Sequence, residues 1–132
     1  MTHINLMIDQ TFGKPVADAL NDRTGAIKAA TTIEYGFVHD APDKELISQT
    51  DDLKCLLLTH DKNTIDLIRY PPCTHGGIII FKPKHWSPEN VTAAMYAFCL
   101  SGNRKDAAHC VTWLYHDRAL IHTHTEQVLV RF

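Results

Sequence analysis

A chain of 132 residues that is 45% hydrophobic has enough apolar material for one core, and it reads as a single domain over residues 1–132 with no linker or disordered tract. A formal net charge of −2 excludes a uniformly basic nucleic-acid binder. No window approaches the roughly eighteen uncharged apolar residues of a membrane span, and Met1 to Ile8 carries no cationic leader, which points to the cytoplasm.

The predicted elements alternate. Ile4 to Ile8 is an apolar strand ending at Asp9, followed by a helix over Pro15 to Arg23 with Val16, Ala19 and Leu20 on one face. The β-branched run Thr31, Thr32, Ile33 and Tyr35 predicts a second strand, and Asp40-Ala-Pro-Asp opens a helix carrying Leu46, Ile47 and Leu53. Cys55 to Thr59 is the third strand, Asn63-Thr-Ile-Asp is a capped helix start, and Pro71-Pro72 ends that segment. Gly77 to Phe81 is the fourth strand. Ser87-Pro88-Glu89 begins a helix that Gly102 stops, and a further helix is expected over about Arg104 to Tyr115. Ala119 to Thr123 and Gln127 to Phe132 close the chain as two strands around a turn near Thr125-Glu126.

Strands separated by helices imply crossovers and a mainly parallel sheet covered on both faces, and the unbroken runs Leu56-Leu57-Leu58 and Ile78-Ile79-Ile80 fit strands buried on two sides. In such sheets ligands bind beyond the carboxyl ends of the strands. Asp9 and Asp61 both stand where a strand runs out, so on neighbouring strands their carboxylates would share a hard cation such as Mg²⁺ or Mn²⁺. The competing reading is that each Asp caps the turn after it. Charge is divided to match: residues 1–68 hold eleven carboxylates against six Lys or Arg, and residues 69–132 hold four against seven. The four cysteines lack C-x-x-C spacing; Cys55 and Cys99 lie in apolar runs that suit buried thiols, and Cys73-Thr74-His75 has no second pair to complete a zinc site.

The order of NLMIDQTFGKPVADAL, APDKELI, CLLLTHDKNTIDLI, HGGIIIF and RALIHTHTEQVLVRF resembles the small PIN-like nucleases of prokaryotes, relatives of the C-terminal domain of the Mut-seven-type exonucleases. The resemblance spans nearly the whole chain and implies a three-layer α/β/α fold with a C-terminal strand pair. It implies Asp9, Asp43 and Asp61 as catalytic acids, and Asp9, Asp43, Glu45, Asp61 and Asn63 as ligands of Mg²⁺ or Mn²⁺. Thr59, Lys62 and Gln10 are the implied substrate contacts, with Thr59 able instead to hydrogen-bond a ligand carboxylate. Two positions depart from the family: Gln10 stands where Glu is usual and Asn63 where Asp is, which thins the acidic cluster. The implied activity is a metal-dependent endoribonuclease on single-stranded RNA, as the toxin of a toxin–antitoxin pair, with a cognate antitoxin protein and a homodimer as partners. The alternatives are a degenerate PIN-like domain that binds RNA or protein without cutting, and a phosphoacceptor receiver with Lys82-Pro83 after the fourth strand in place of the fifth.

Other residues have ordinary readings beside functional ones. Lys82 and Lys84 could hold an RNA backbone or be solvated lysines, and Trp86 and Trp113 could stack on bases or anchor packing. Glu34 is expected at the surface. His122 and His124 alternate along one strand and are placed on its wet face; His60 is not counted as catalytic.

Overall fold

The computed structural model describes residues 3–23, 25–60, 65–101 and 107–132. Among them, β1 (Ile4–Ile8), α1 (Gly13–Arg23), β2 (Ile27–Thr31), α2 (Asp43–Leu53), β3 (Leu56–His60), β4 (Ile78–Phe81), α3 (Pro88–Leu100), β5 (Val111–Leu114), β6 (Arg118–His122) and β7 (Gln127–Arg131) follow one another. The strands form one seven-stranded sheet in the order β2-β1-β3-β4-β5-β6-β7. β2, β1, β3, β4 and β5 run parallel, and β6 and β7 turn back antiparallel. No helix among the described residues is long and apolar enough to cross a membrane.

Alternation along the strands divides two cores. Leu6, Ile8, Leu58, Ile79 and Phe81 point to the face covered by Val16 and Leu20 of α1 and by Val91, Met95 and Phe98 of α3. Met7, Leu57, Ile78 and Ile80 point to the other face, covered by Leu46 and Ile47 of α2. Both faces of the central strands are therefore dry, which is why their sequences do not alternate in polarity. The helix starts are local: Ser87 Oγ accepts the Asn90 amide and Pro88 sits in the first turn of α3. α2 ends at Lys54 in the left-handed region, its amide donating to Asp51 O and Thr50 O. Thr50 Oγ1 then accepts the Gly76 amide at 2.8 Å. Gly76 is needed there, since a Cβ would stand 2.6 Å from the Thr50 carbonyl.

Three expected elements are corrected. The second strand is Ile27–Thr31, earlier than the β-branched run suggests. Thr31 Oγ1 accepts the Glu34 amide at 3.2 Å and Glu34 Oε1 accepts the Thr31 amide at 3.0 Å, so this reciprocal box turns the chain before Thr32 and Ile33 can extend. Glu34 also binds Lys14 at 3.1 Å; the Thr31 amide, then Lys14, hold its carboxyl below the usual range. After β3, Asn63 and Thr64 lie outside the described residues, and from Leu67 to Tyr70 the chain is turns and a bend, not helix: Asp66 Oδ1 accepts the Ile68 and Arg69 amides. Of the helix expected over about Arg104 to Tyr115, residues 104–106 lie outside the described residues, and from Ala107 the chain forms a turn and then β5. His109 takes a left-handed φ of 61° just before it, and the β-rich Val111-Thr-Trp-Leu finds parallel hydrogen bonds on β4. The closing strand pair is as expected.

None of the four cysteines forms a disulfide, and Cys55, Cys99 and Cys110 are buried. Burial pushes the Cys55 thiol up to about 11 and the Tyr35 phenol beside it to about 12. His122 is not on a wet face: it is 2% exposed, its ring 4.2 Å from that of Trp113, and its Nε2 has no hydrogen-bond partner. His75 is likewise buried, with Nε2 donating to Tyr70 O at 3.2 Å and Nδ1 unpartnered.

Burial holds both imidazoles below the ordinary value of 6.5, with the neighbouring Lys82 adding to the effect at His122. Below that value the unfolded chain binds more protons than the folded one, so stability is fully present above pH 6.5 and falls as the pH drops through the folded-state values. Urea unfolding at pH 7.5 and 5.5 should show a loss on acidification that is smaller in His122→Phe. That variant should also be about 1 kcal/mol more stable at pH 7.5, because an unpartnered polar atom is removed at constant shape. An identical acid loss in the two proteins would contradict this account.

Candidate functional site

β1 and β3 are adjacent and parallel, with Ile8 opposite Leu58, so their carboxyl ends share one rim. The Asp9 amide donates to Leu58 O at 3.0 Å, carrying the ladder one residue past β1. Asp9 O then accepts the amides of Phe12 and Gly13 at 3.0 Å each, and Gly13, at φ 66°, takes the chain into α1. The Asp9 side chain is 5% exposed. Its Oδ1 accepts the Gln10 amide at 2.9 Å and its Oδ2 accepts Thr59 Oγ1 at 2.8 Å. Asp9 therefore does both things the sequence allows: it organises its own turn, and it presents a carboxylate fixed from the neighbouring strand. Charge-assisted hydrogen bonds of this kind offset the cost of burying the carboxylate.

Thr59, expected either at the substrate or against a ligand carboxylate, is fully buried behind Asp9 and holds it. Gln10 reaches across the rim, its Oε1 accepting the Asp40 amide at 2.8 Å. That bond ties the loop after β1 to the segment leading into α2, where Asp40 has φ 61°. Asp43 and Glu45 lie in the first turn of α2, where the helix dipole favours acids; Asp43 is half-buried and Glu45 exposed. Asp61, Lys62 and Asn63 lie outside the described residues. Among the described residues no group of three or more His, Cys, Asp or Glu side chains is placed to hold a metal ion.

Sequence reasoning missed the part played by His60. Its Nε2 donates to Pro83 O at 2.7 Å, pinning the loop after β4 to the end of β3. The ring lies 6.0 Å from Phe12 and 6.5 Å from Trp86, and Phe12 meets Trp86 edge-on at 4.8 Å. The end of β3 and the loops after β1 and β4 are thus joined by one aromatic cluster beside Asp9. The available signal was the strand-end position of His60 together with Trp86 near a helix start. Lys84 and His85 are exposed on the β4 loop, whereas Lys82 lies over the Trp113 ring at 4.7 Å.

A cavity of about 460 Å³ opens at the amino ends of the strands, lined by His3, Asn5, Asp51, Lys54 and His109 among others. His109 Nδ1 lies 2.9 Å from His75 O and 3.7 Å from Asp51. The carboxyl rim is the stronger candidate, because the end of β3 and the loops after β1 and β4 converge there on a buried, oriented carboxylate. Compared with known proteins, the chain matches no family model, no curated protein and no solved structure.

Thr59→Val keeps the shape and removes the donor to Asp9 Oδ2. Chemical denaturation should show a loss of about 1–3 kcal/mol, with Thr59→Ser retaining most of the wild-type stability. Equal stability of wild type and Thr59→Val would mean that the bond does not hold the buried acid.

Proposed function

We propose that this chain is a metal-dependent endoribonuclease of the PIN-like type, acting on single-stranded RNA as the toxin of a toxin–antitoxin pair, with a cognate antitoxin and a second copy of itself as partners. The observation that carries this reading is the Asp9–Thr59 contact at 2.8 Å across adjacent parallel strands, which fixes an acid at the rim where the resemblance calls for the first ligand. The resemblance supplies Asp43 and Asp61 as the other acids, with Glu45 and Asn63 completing the set. All five are oxygen donors, a set suited to Mg²⁺ or Mn²⁺ rather than zinc. Such an ion, when bound, lowers the pKa of a water and neutralises charge developing on the phosphodiester.

The chain's own residues do the rest. Thr59 holds the Asp9 carboxylate in one orientation, as the outer shell of a metal site does. Gln10, through Asp40, steadies the approach to α2 and so the position of Asp43. Lys62 and Lys84 are the cations proposed for the RNA backbone.

One observation favours a second reading, in which the domain binds RNA or a protein without cutting. Gln10 stands where the family has an acid and its side-chain oxygen accepts a backbone amide, a structural use that needs no charge. The receiver reading gains the order of the first five strands, but the β6–β7 pair follows β5 where a receiver carries a helix.

A metal-dependent nuclease should cleave single-stranded RNA with Mn²⁺, stop with EDTA, and be inactive as Asp9→Asn or Asp61→Asn. In thermal melts, Mn²⁺ at about one hundred times its Kd should add about 2.7 kcal/mol to wild type and nothing to Asp61→Asn. Thr59→Val should weaken metal binding about 10- to 100-fold. Metal stabilisation without cleavage, with activity appearing in Gln10→Glu/Asn63→Asp, would select the binding-only reading; neither stabilisation nor cleavage would remove both metal-based readings.

A further inference from the structure

On the face of the sheet that α2 covers, the core shared with α2 reaches Val111 of β5, and no helix among the described residues lies under β6 and β7. A cavity of about 400 Å³ lies there, walled by Leu67, Pro71 and Pro72 on one side and by His122, His124 and Gln127 on the other. Cys73 follows Pro72, and it is the one exposed cysteine of the four. Its Sγ lies 3.7 Å from His124 Nδ1. This pairing supersedes the Cys73-Thr74-His75 reading, since His75 is buried and turned to Tyr70 O.

Both members of the pair are held by their backbones. The Cys73 amide donates to His109 O at 2.7 Å, and Thr74 Oγ1 donates to Pro71 O at 2.5 Å. Across the cavity, Thr123 Oγ1 accepts the amides of Thr125 and Glu126, which sets the turn that carries His124. The second observation is independent of the thiol: His122, 2% exposed and with no partner for Nε2, stands in the same wall. Buried polar atoms are ordinarily satisfied, so an orphaned one in a residue of the cavity wall is a group that a polar ligand seated there could satisfy.

The geometry points to a thiol–disulfide exchange site for a low-molecular-weight disulfide, with Cys73 as the nucleophile, His124 as its base and the adjoining cavity as the seat of the incoming group. The Cys73 Sγ proton passes to His124 Nδ1. The thiolate attacks one sulfur of the disulfide, the old S–S bond breaks as the Cys73–S bond forms, and the leaving thiolate takes up the proton from the imidazolium. One disulfide and one thiol give one mixed disulfide and one thiol, with no external oxidant or reductant. The thiolate is the attacking form, so a base within reach of the thiol proton assists the attack. The site is separate from the carboxyl rim and stands whether or not the chain is a nuclease.

The test uses the full reduced chain with glutathione disulfide and, separately, iodoacetamide, followed by intact mass and peptide mapping. Wild type should take one glutathione adduct, on Cys73, and Cys73→Ser none. His124→Asn should react about 3- to 10-fold more slowly at pH 7, with the gap closing at high pH, where hydroxide replaces the base. Gln127→Trp, which fills the cavity, should slow glutathione disulfide and leave iodoacetamide unchanged. First modification on another cysteine, or equal rates for wild type and His124→Asn at every pH, would overturn the thiol–imidazole pair. Equal slowing of both reagents by Gln127→Trp, or none of either, would overturn the cavity as the binding seat.

Discussion

The pairing of β1 with β3 is the constraint on which the rest depends. Its register sets Ile8 against Leu58, and the Asp9 amide extends the ladder to Leu58 O, so the next side chains on the two strands meet at the rim. A slip of one residue would turn Met7 and Leu57 into the core of α1 and α3 and Leu6 and Leu58 into that of α2. It would also part the Thr59 hydroxyl from the Asp9 carboxylate. Core packing and rim chemistry are thus fixed by the same hydrogen bonds, and the carboxylate tolerates burial because the register brings it a donor.

Around that pair the rim is tied together by short contacts. Gln10 joins the β1 loop to the segment before α2, and His60 joins β3 to the β4 loop. Phe12 sits at the centre, bonded through its amide to Asp9 O and packed on Trp86. Displacing any one of these loops therefore moves ring contacts as well as hydrogen bonds. That coupling supplies the stiffness a site of oriented carboxylates requires.

The layers and the central strands were legible because two-sided burial writes itself as unbroken aliphatic runs, as in Leu56-Leu57-Leu58. The end of β1 at Asp9 and the start of α3 at Ser87-Pro88 were legible for the same reason: each is decided by neighbours in the chain. The β propensity of Thr31, Thr32 and Ile33 points to a later β2 because it carries no sign of the Thr31–Glu34 box, a local hydrogen-bond pair that outcompetes extension. β5 was missed for the opposite reason: Val111–Leu114 becomes a strand through parallel bonds to Ile78–Phe81, about thirty residues earlier in the chain, and no local pattern carries that. At the candidate site, Asp9 was readable as a strand-end acid, but the Thr59 donor and the His60–Pro83 clamp depend on which strands are neighbours.

The unequal cover of the sheet follows from its topology. Parallel strands need crossovers, and those through α1, α2 and α3 bring helices, so β1, β3 and β4 are dry on both faces. β6 and β7 return through tight turns and bring no helix, while their inner face still closes on Ala119, Ile121 and Val130. Their outer face is left to the loop from Leu67 to Thr74, which spans it incompletely: Trp113 is covered by Lys82 and His122, Leu129 stays half exposed, and the cavity beside Cys73 remains. A polar ring is stranded at His122 because the strand pairing that sets Val111 opposite His122 forces it toward this partly covered face. The orphaned imidazole and the exposed thiol are two consequences of one cause: the change from parallel to antiparallel pairing after β5.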